Sequence, residues 1–265
     1  MDDIPSPSRA VRCLLESVDA HPALEAGFPP DGLLAPTERA RWEQFKVAKR
    51  RRDWLIGRWT AKHLVQEHLS ELSGARAALD AIVIAADEDG APYAALVEDD
   101  GLRRLSFSLS ISHAGNLAFC ALCDQPGMTV GVDVERVEAR EPSFAETFFT
   151  AKEADAGRTT PAESRDLFIT AIWSGKEAAL KALRTGMRAD TRRVQCSIQR
   201  LERPAEFWAP ITITLDAQLA PPGPSSLTGW WRSIGEHLLA LALLSVPRAS
   251  QVVSSGSTFN TQSTR

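Results

Sequence analysis

The sequence has few of the features that would assign it to a specialised environment. It holds four cysteines in 265 residues, Cys13, Cys120, Cys123 and Cys196. Cys120 and Cys123 form a CxxC inside the apolar run FCALC, with no second pair nearby, so they read as reduced, buried thiols rather than zinc ligands. No apolar run is long enough to span a bilayer. The start, MDDIPSPSRAV, has neither the basic segment nor the apolar stretch of a secretory signal, and a cytoplasmic protein is expected. A formal net charge of −4 argues against a general nucleic-acid binder. P-loop, GxGxxG, HExxH and GxSxG motifs are all missing. Lysine is scarce as well, with only Lys46, Lys49, Lys62, Lys152, Lys176 and Lys181 among 30 basic residues. The two lysines set five residues apart, Lys176 and Lys181, therefore stand out.

What is present is ordinary globular composition, 44% hydrophobic and 24% charged. Residues 1–35 show no clear period. From Pro36 to about Leu72, Trp42, Phe45, Trp54, Leu55, Trp59, Leu64 and Val65 recur at helical spacing around the basic stretch KVAKRRRDWLIGRWTAK. AIVIA at 81–85, LSFSLSIS at 105–112, and residues 117–123 and 129–135 read as strands, with DEDG as a turn. LSFSLSIS alternates cleanly and reads as half-buried. A second long helix is expected up to about Leu183, capped by Ser164 and stopped by Gly186. Strands follow at 193–199 and 210–215, and HLLALALLSV is a further apolar run. The pattern predicts an α+β protein of two similar halves, each a long helix packed on a small antiparallel sheet. The halves are expected at 1–124 and 125–247, with a disordered polar tail at 248–265.

Three segments carry chemistry. In GVDVE, Asp133 and Glu135 lie two residues apart on one strand face, roughly 7 Å apart along the chain, and Gly131 leaves space beside them. Two carboxylates so placed suit a shared cation, and equally a solvated strand face; Arg136 is a further candidate to neutralise them. In WSGKEAALKA, Trp173, Glu177 and Lys181 fall at i, i+4 and i+8 on one helix face. An acid and an ammonium projecting together suit a metal-bound phosphate. In SISHAG, Ser112 and His113 end a strand before a turn. The basic stretch, with Arg51, Arg52, Arg58 and Lys62, suits phosphate or a solvated helix face.

Taken in order, SISHAG, GVDVE, FFTAKE and WSGKEAALKA make the chain resemble the 4′-phosphopantetheinyl transferase superfamily over roughly residues 36–246. Its layout is similar to the larger, pseudo-two-fold members of surfactin-synthetase-activating type. The resemblance implies that Asp133, Glu135 and Glu177 hold Mg²⁺, and that Lys181 meets the pyrophosphate of coenzyme A. It implies that Ser112 and His113 lie near the 3′-phosphorylated ribose, with Lys62 and Arg52 as basic contacts and Lys176 beside the cofactor. Two departures are visible. The family's GKP turn is GAP here, Gly90-Ala91-Pro92, and the GxGL-like segment reads RTGMRAD, with Met187 replacing leucine.

The implied reaction moves 4′-phosphopantetheine from coenzyme A to a serine of an apo acyl or peptidyl carrier protein and releases 3′,5′-ADP. Glu177 and Lys181 are the implied catalytic pair. A monomer is expected, with no membrane and no nucleic-acid partner. Two rivals stand beside this reading: a catalytically silent relative that binds carrier proteins, and a nucleic-acid binder using residues 46–62, where aromatics interleave with cations.

Overall fold

The computed structural model describes residues 11–199, 201, 207–221 and 225–246. The expected disordered tail, 248–265, lies outside the described residues. The architecture is α+β, as the sequence pattern predicts. Strand β1 (Val11–Ser17) leads through the short helix α1 (Pro22–Glu25) to α2 (Pro36–Glu43) and the long α3 (Ala48–Ser73). β2 (Ile82–Ala86), β3 (Pro92–Glu98), β4 (Gly101–Arg104), β5 (Ser108–Ala114) and β6 (Leu117–Cys123) follow. β7 (Met128–Arg136) then opens a second series of α4 (Pro142–Phe148), α5 (Ala151–Thr159) and α6 (Ala162–Ala182). That series ends in β8 (Val194–Ser197), β9 (Ala209–Leu215), β10 (Ser226–Ile234) and β11 (His237–Ser245). No helix among the described residues is long and apolar enough to cross a membrane.

The second series repeats the first. β1-β6-β5 form one antiparallel sheet and β2-β3-β4 another, whereas β7-β11-β10-β9-β8 form one continuous sheet. Matching α3 with α6 and β1-β6-β5 with β7-β11-β10 relates the halves by a pseudo-two-fold operation. The second half fuses what the first keeps as two sheets. α6 buries Ile172, Ala178, Ala179 and Leu180 against its sheet, and α3 buries Ala61, Leu64 and Val65 against β2, β5 and β6.

The clearest mark of the repeat is a buried ion pair in each half. Lys62 of α3 is fully buried; its ammonium bonds Glu38 in the first turn of α2 and donates to the carbonyls of Leu33 and Leu79 at 2.7 and 3.0 Å. Lys176 of α6 is equally buried. It pairs with Glu153 in the first turn of α5 at 2.7 Å and donates to Thr191 O at 3.0 Å and to Val194 O. Each glutamate also accepts from a strand amide, Ile84 N–H for Glu38 and Cys196 N–H for Glu153. Thr150 and Glu153 of FFTAKE form a capping box that starts α5. The acid of that motif thus serves the fold.

Such a pair is costly to break, because removing one member strands a buried charge. Lys176→Met is expected to lower stability by about 3–5 kcal/mol, read as a shift in the urea unfolding midpoint. A loss below about 1 kcal/mol would mean that Glu153 finds other partners.

Several expectations need correction. The helix expected from Pro36 to Leu72 is two helices, separated at residues 44–47. The Arg51 guanidinium holds this break by donating to Phe45 O at 2.6 Å and stacking over Trp42. Pro161, not Ser164, is the N-cap of α6; its ring fixes φ for helix entry, and Ser164 sits inside the first turn. α6 ends at Ala182 with Leu183 as its C-cap, close to the expected end near Leu183, but Arg184 rather than Gly186 makes the first left-handed turn, with φ 59°. β1, β3, β4 and β10 were not expected as strands, since their side chains alternate weakly and pairing with neighbours decides them.

Candidate active site

The site begins with a glycine. A Cβ at residue 131 would stand 1.9 Å from the carbonyl oxygen of Ala178 and 2.5 Å from the amide nitrogen of Ala182. The space beside the acids of GVDVE is therefore filled by the backbone of α6, not reserved for a cation. Alanines on that helix face complete the close approach, and the Thr129 hydroxyl donates to Ala182 O at 2.7 Å. This contact brings Glu177 and Lys181 of α6 up to Asp133 of β7.

Asp133 is 3% exposed and is the centre of the arrangement. Its Oδ1 accepts from Ser112 Oγ and from Lys181 Nζ, each at 2.8 Å, and its Oδ2 accepts from Ser174 Oγ at 2.8 Å. Lys181 Nζ also donates to Ser112 Oγ at 3.1 Å and to Val132 O at 3.0 Å. Glu135 accepts from Trp173 Nε1 at 3.0 Å and from Arg140 at 2.8 Å. Trp173 is wedged between Phe144 and Phe148, and Arg140 lies over Phe144. Glu177 stands 4.0 Å from Lys181, with no closer cation among the described residues.

The electrostatics follow from this crowding. Burial, then the neighbouring Asp133, raises the carboxyl of Glu135 above its ordinary pKa, despite the opposing Arg140 and Trp173 bonds. Burial likewise raises Glu177, with Asp133 and Glu135 adding to it and Lys181 opposing. The three acids thus share one field with a surplus of negative charge.

A serine ladder supplies the other wall. Ser108, Ser110 and Ser112 of β5 accept, through their hydroxyls, the amides of Val130, Val132 and Val134 at 3.0, 3.0 and 3.3 Å. β7 is the edge of the five-stranded sheet, and these amides point away from β11. The polar face of LSFSLSIS is therefore not solvated, as its alternation suggests, but stitches one half to the other. Ser112, the last rung, passes the seam on to Asp133.

Two clefts flank that last rung. One, of about 460 Å³, runs along the seam between Asp89–Pro92 and the end of α6, with Lys181 and Arg184 in its wall. The other, of about 740 Å³, lies beside His113 and is lined by Arg41, Arg50, Arg58, Phe45 and Trp54.

The structure gathers Asp133, Glu135, Glu177, Lys181 and Ser112 in one place, with His113 at the neighbouring cleft. It separates the rest. Lys62 and Lys176 are sealed in the two cores, with their ammonium groups held by a glutamate and carbonyls, so neither reaches a ligand. Arg52 is exposed and lines neither cleft. Ser174, Arg140, Arg41 and Arg50 were missed as site residues, whereas Arg58, a phosphate candidate of the basic stretch, does line the cleft beside His113. Ser174 lies one turn before Ala178 on α6, a spacing that would have pointed to it. Arg51 and Arg58 of the basic stretch stack over Trp42 and Trp54 of their own half. Among the described residues, no group of three His, Cys, Asp or Glu side chains is drawn together tightly enough to hold a metal ion.

Residues 129–232 match the family model described as the 4′-phosphopantetheinyl transferase superfamily. The chain is 27% identical over 150 residues to the 4′-phosphopantetheinyl transferase psf-1 of Bacillus pumilus, covering 57% of this chain and 58% of that protein. It is 26% identical over 156 residues to the 4′-phosphopantetheinyl transferase HetI of Nostoc sp., covering 58% and 61%. The chain thus spans less than two thirds of either relative's own length. Among solved structures, an ACPS–CoA complex of Chronobacterium ammoniagenes matches at 23% identity and a TM-score of 0.36, covering 46% of this chain and 98% of that one.

Proposed function

From the match of residues 129–232 to the 4′-phosphopantetheinyl transferase superfamily model, we propose that this chain transfers 4′-phosphopantetheine from coenzyme A to a serine of an apo acyl or peptidyl carrier protein. The observation that carries the reading is the junction of Ser112, Asp133 and Lys181 at the seam, with Glu177 on the same helix and a cleft on either side. We take it as a monomer, since one chain supplies both walls of the site.

Asp133, Glu135 and Glu177 offer the donor atoms that Mg²⁺ takes, but in this structure Asp133 and Glu135 are turned onto Lys181 and Arg140, so holding the ion would require those contacts to give way. The three acids offer hard carboxylate oxygens, and their mutual repulsion, which adds to the larger effect of burial in raising the carboxyls of Glu135 and Glu177, is what a divalent cation would offset. When bound there, the ion would neutralise and orient the pyrophosphate. Lys181 is the chain's own cation at this point; its Nζ meets a pyrophosphate oxygen and stabilises the charge that develops as the bridging P–O bond breaks. Glu177 is the general base, its carboxylate taking the proton of the carrier serine as the serine oxygen bonds to the phosphorus that carries pantetheine. The electron pair of the broken bond leaves with 3′,5′-ADP. The cleft beside His113 suits the nucleotide end, since Arg41, Arg50 and Arg58 meet its phosphate and Trp54 and Phe45 offer rings for adenine.

The decisive test is a mass measurement. Incubated with coenzyme A, Mg²⁺ and an apo carrier protein, the chain is expected to add one phosphopantetheine group to the carrier. No gain on carriers drawn from fatty-acid, polyketide and peptide assembly would sink the reading.

A further inference from the structure

Among the described residues, Arg184 is the only one other than glycine with a positive φ, 59°. The end of α6 closes as a Schellman cap, with Thr185 N–H on Leu180 O at 3.1 Å and Arg184 N–H on Lys181 O at 3.0 Å, a position that glycine usually takes. An arginine there places a guanidinium at the lip of the seam. Its Nε donates to Asp89 Oδ2 at 2.9 Å and its Nη2 to Asp89 Oδ1 at 3.1 Å, while Nη2 also reaches Asp87. These acids belong to the DEDG turn between β2 and β3, in the other half. Arg188 adds a bond to Asp89 O at 2.8 Å and supports Arg184 O at 3.0 Å. On its far side, Asp87 is gripped by Arg104 at 2.6 and 2.8 Å.

The position of this clasp gives it meaning. The DEDG turn forms one lip of the seam cleft and the end of α6 forms the other. Lys181 lies one helical turn before Arg184 and bridges the same two halves through Ser112 and Asp133. The serine ladder also crosses the seam, through side-chain hydroxyls rather than a backbone ladder, and beside it Phe119 and Ala121 of β6 pack against Val130, Val132 and Val134 of β7. Ala91, in the turn where the resemblance implies a lysine, offers no charge of its own.

Resting on the transferase reading, we propose that Arg184 is a positioning residue. By clasping Asp87 and Asp89 it fixes the width of the seam cleft and holds Lys181 against Ser112 and Asp133, so that coenzyme A meets a preformed site. Both sides of the clasp are charged throughout the neutral range, because Arg104, then Arg184, holds the Asp87 carboxyl down at about 2.

The test uses Arg184→Gly, which removes the guanidinium while suiting the left-handed backbone, and Asp89→Asn, which keeps the oxygen that accepts the Ala91 amide. Each is expected to raise the KM for coenzyme A about tenfold with kcat within about twofold, because a site that must first close loses apparent affinity. Each is also expected to speed hydrogen exchange at Val130, Val132 and Val134 about tenfold, by loosening the serine ladder. The double variant should be no worse than either single one, because both remove the same pair. Unchanged KM and exchange, a kcat loss at constant KM, or multiplied effects in the double variant would each overturn the clasp. A wild-type chain that transfers nothing would sink the transferase reading alone; exchange and its coupling between the two variants would still decide the clasp.

Discussion

Asp133→Asn is expected to reduce phosphopantetheine transfer by about 10²–10³-fold while the chain stays folded. The substitution keeps the shape of the side chain but removes the charge on which Lys181, Ser112 and Ser174 converge. Lys181 then loses the partner that aims its ammonium, and the implied Mg²⁺ loses one of its three acids. Asn is a sharper probe than Ala. Asp133 is 3% exposed and joins β5, β7 and α6 through three side-chain bonds. Asp133→Ala would leave those donors unpaired, at about 1–3 kcal/mol for each buried group, and would mix instability with lost chemistry. Single-turnover transfer followed by mass, with thermal unfolding alongside, separates the two effects. Transfer within about tenfold of wild type would remove Asp133 from the site.

Gly131→Ala is expected to be the most damaging single methyl in the chain. The added carbon would meet the main chain of α6 at Ala178 and Ala182, which cannot step aside as a side-chain tip can. Overpacking of this kind costs at least about 3 kcal/mol here, and relief requires β7 and α6 to part. Parting them draws Glu177 and Lys181 away from Asp133, so transfer should fall together with stability. Gly175→Ala is the matched comparison. Its added carbon would meet Ile211 Cδ1 at 3.1 Å and Cys196 Sγ at 3.3 Å, both side-chain ends that yield. Urea unfolding of the two variants should rank Gly131→Ala well below Gly175→Ala. Equal midpoints would show that the strand–helix approach is softer than its geometry.

These two variants also mark the boundary of what the sequence could convey. The strand of GVDVE, the helix of WSGKEAALKA and the shared face of Trp173, Glu177 and Lys181 were legible, because period and spacing are local properties of a chain. The α+β class and the doubled layout followed from the same patterns. The meaning of Gly131 was not legible. A missing side chain looks alike whether a ligand or a helix fills the space, and only the packing of α6 shows that it is a helix.

The two closely spaced lysines show the same divide. Lys176 and Lys181 are five residues apart, which on an α-helix turns them about 140° from each other. That much was available from numbering, and it already denies them a common ligand. Which of the two meets the seam was settled by partners far away in sequence. Glu153 and the carbonyls of Thr191 and Val194 enclose Lys176 in the core, while Ser112 and Asp133 hold Lys181 at the junction of the halves. Lys62 likewise lost its expected ligand role to Glu38. By itself the sequence conveyed the long helices, the more regular strands and the candidate acids and ammonium, while β1, β3, β4, β10 and the break at residues 44–47 took their form from distant neighbours. The tertiary structure decided which charges are sealed in the core and which meet at the seam, because a charge removed from water goes where a counter-charge and carbonyls are already waiting.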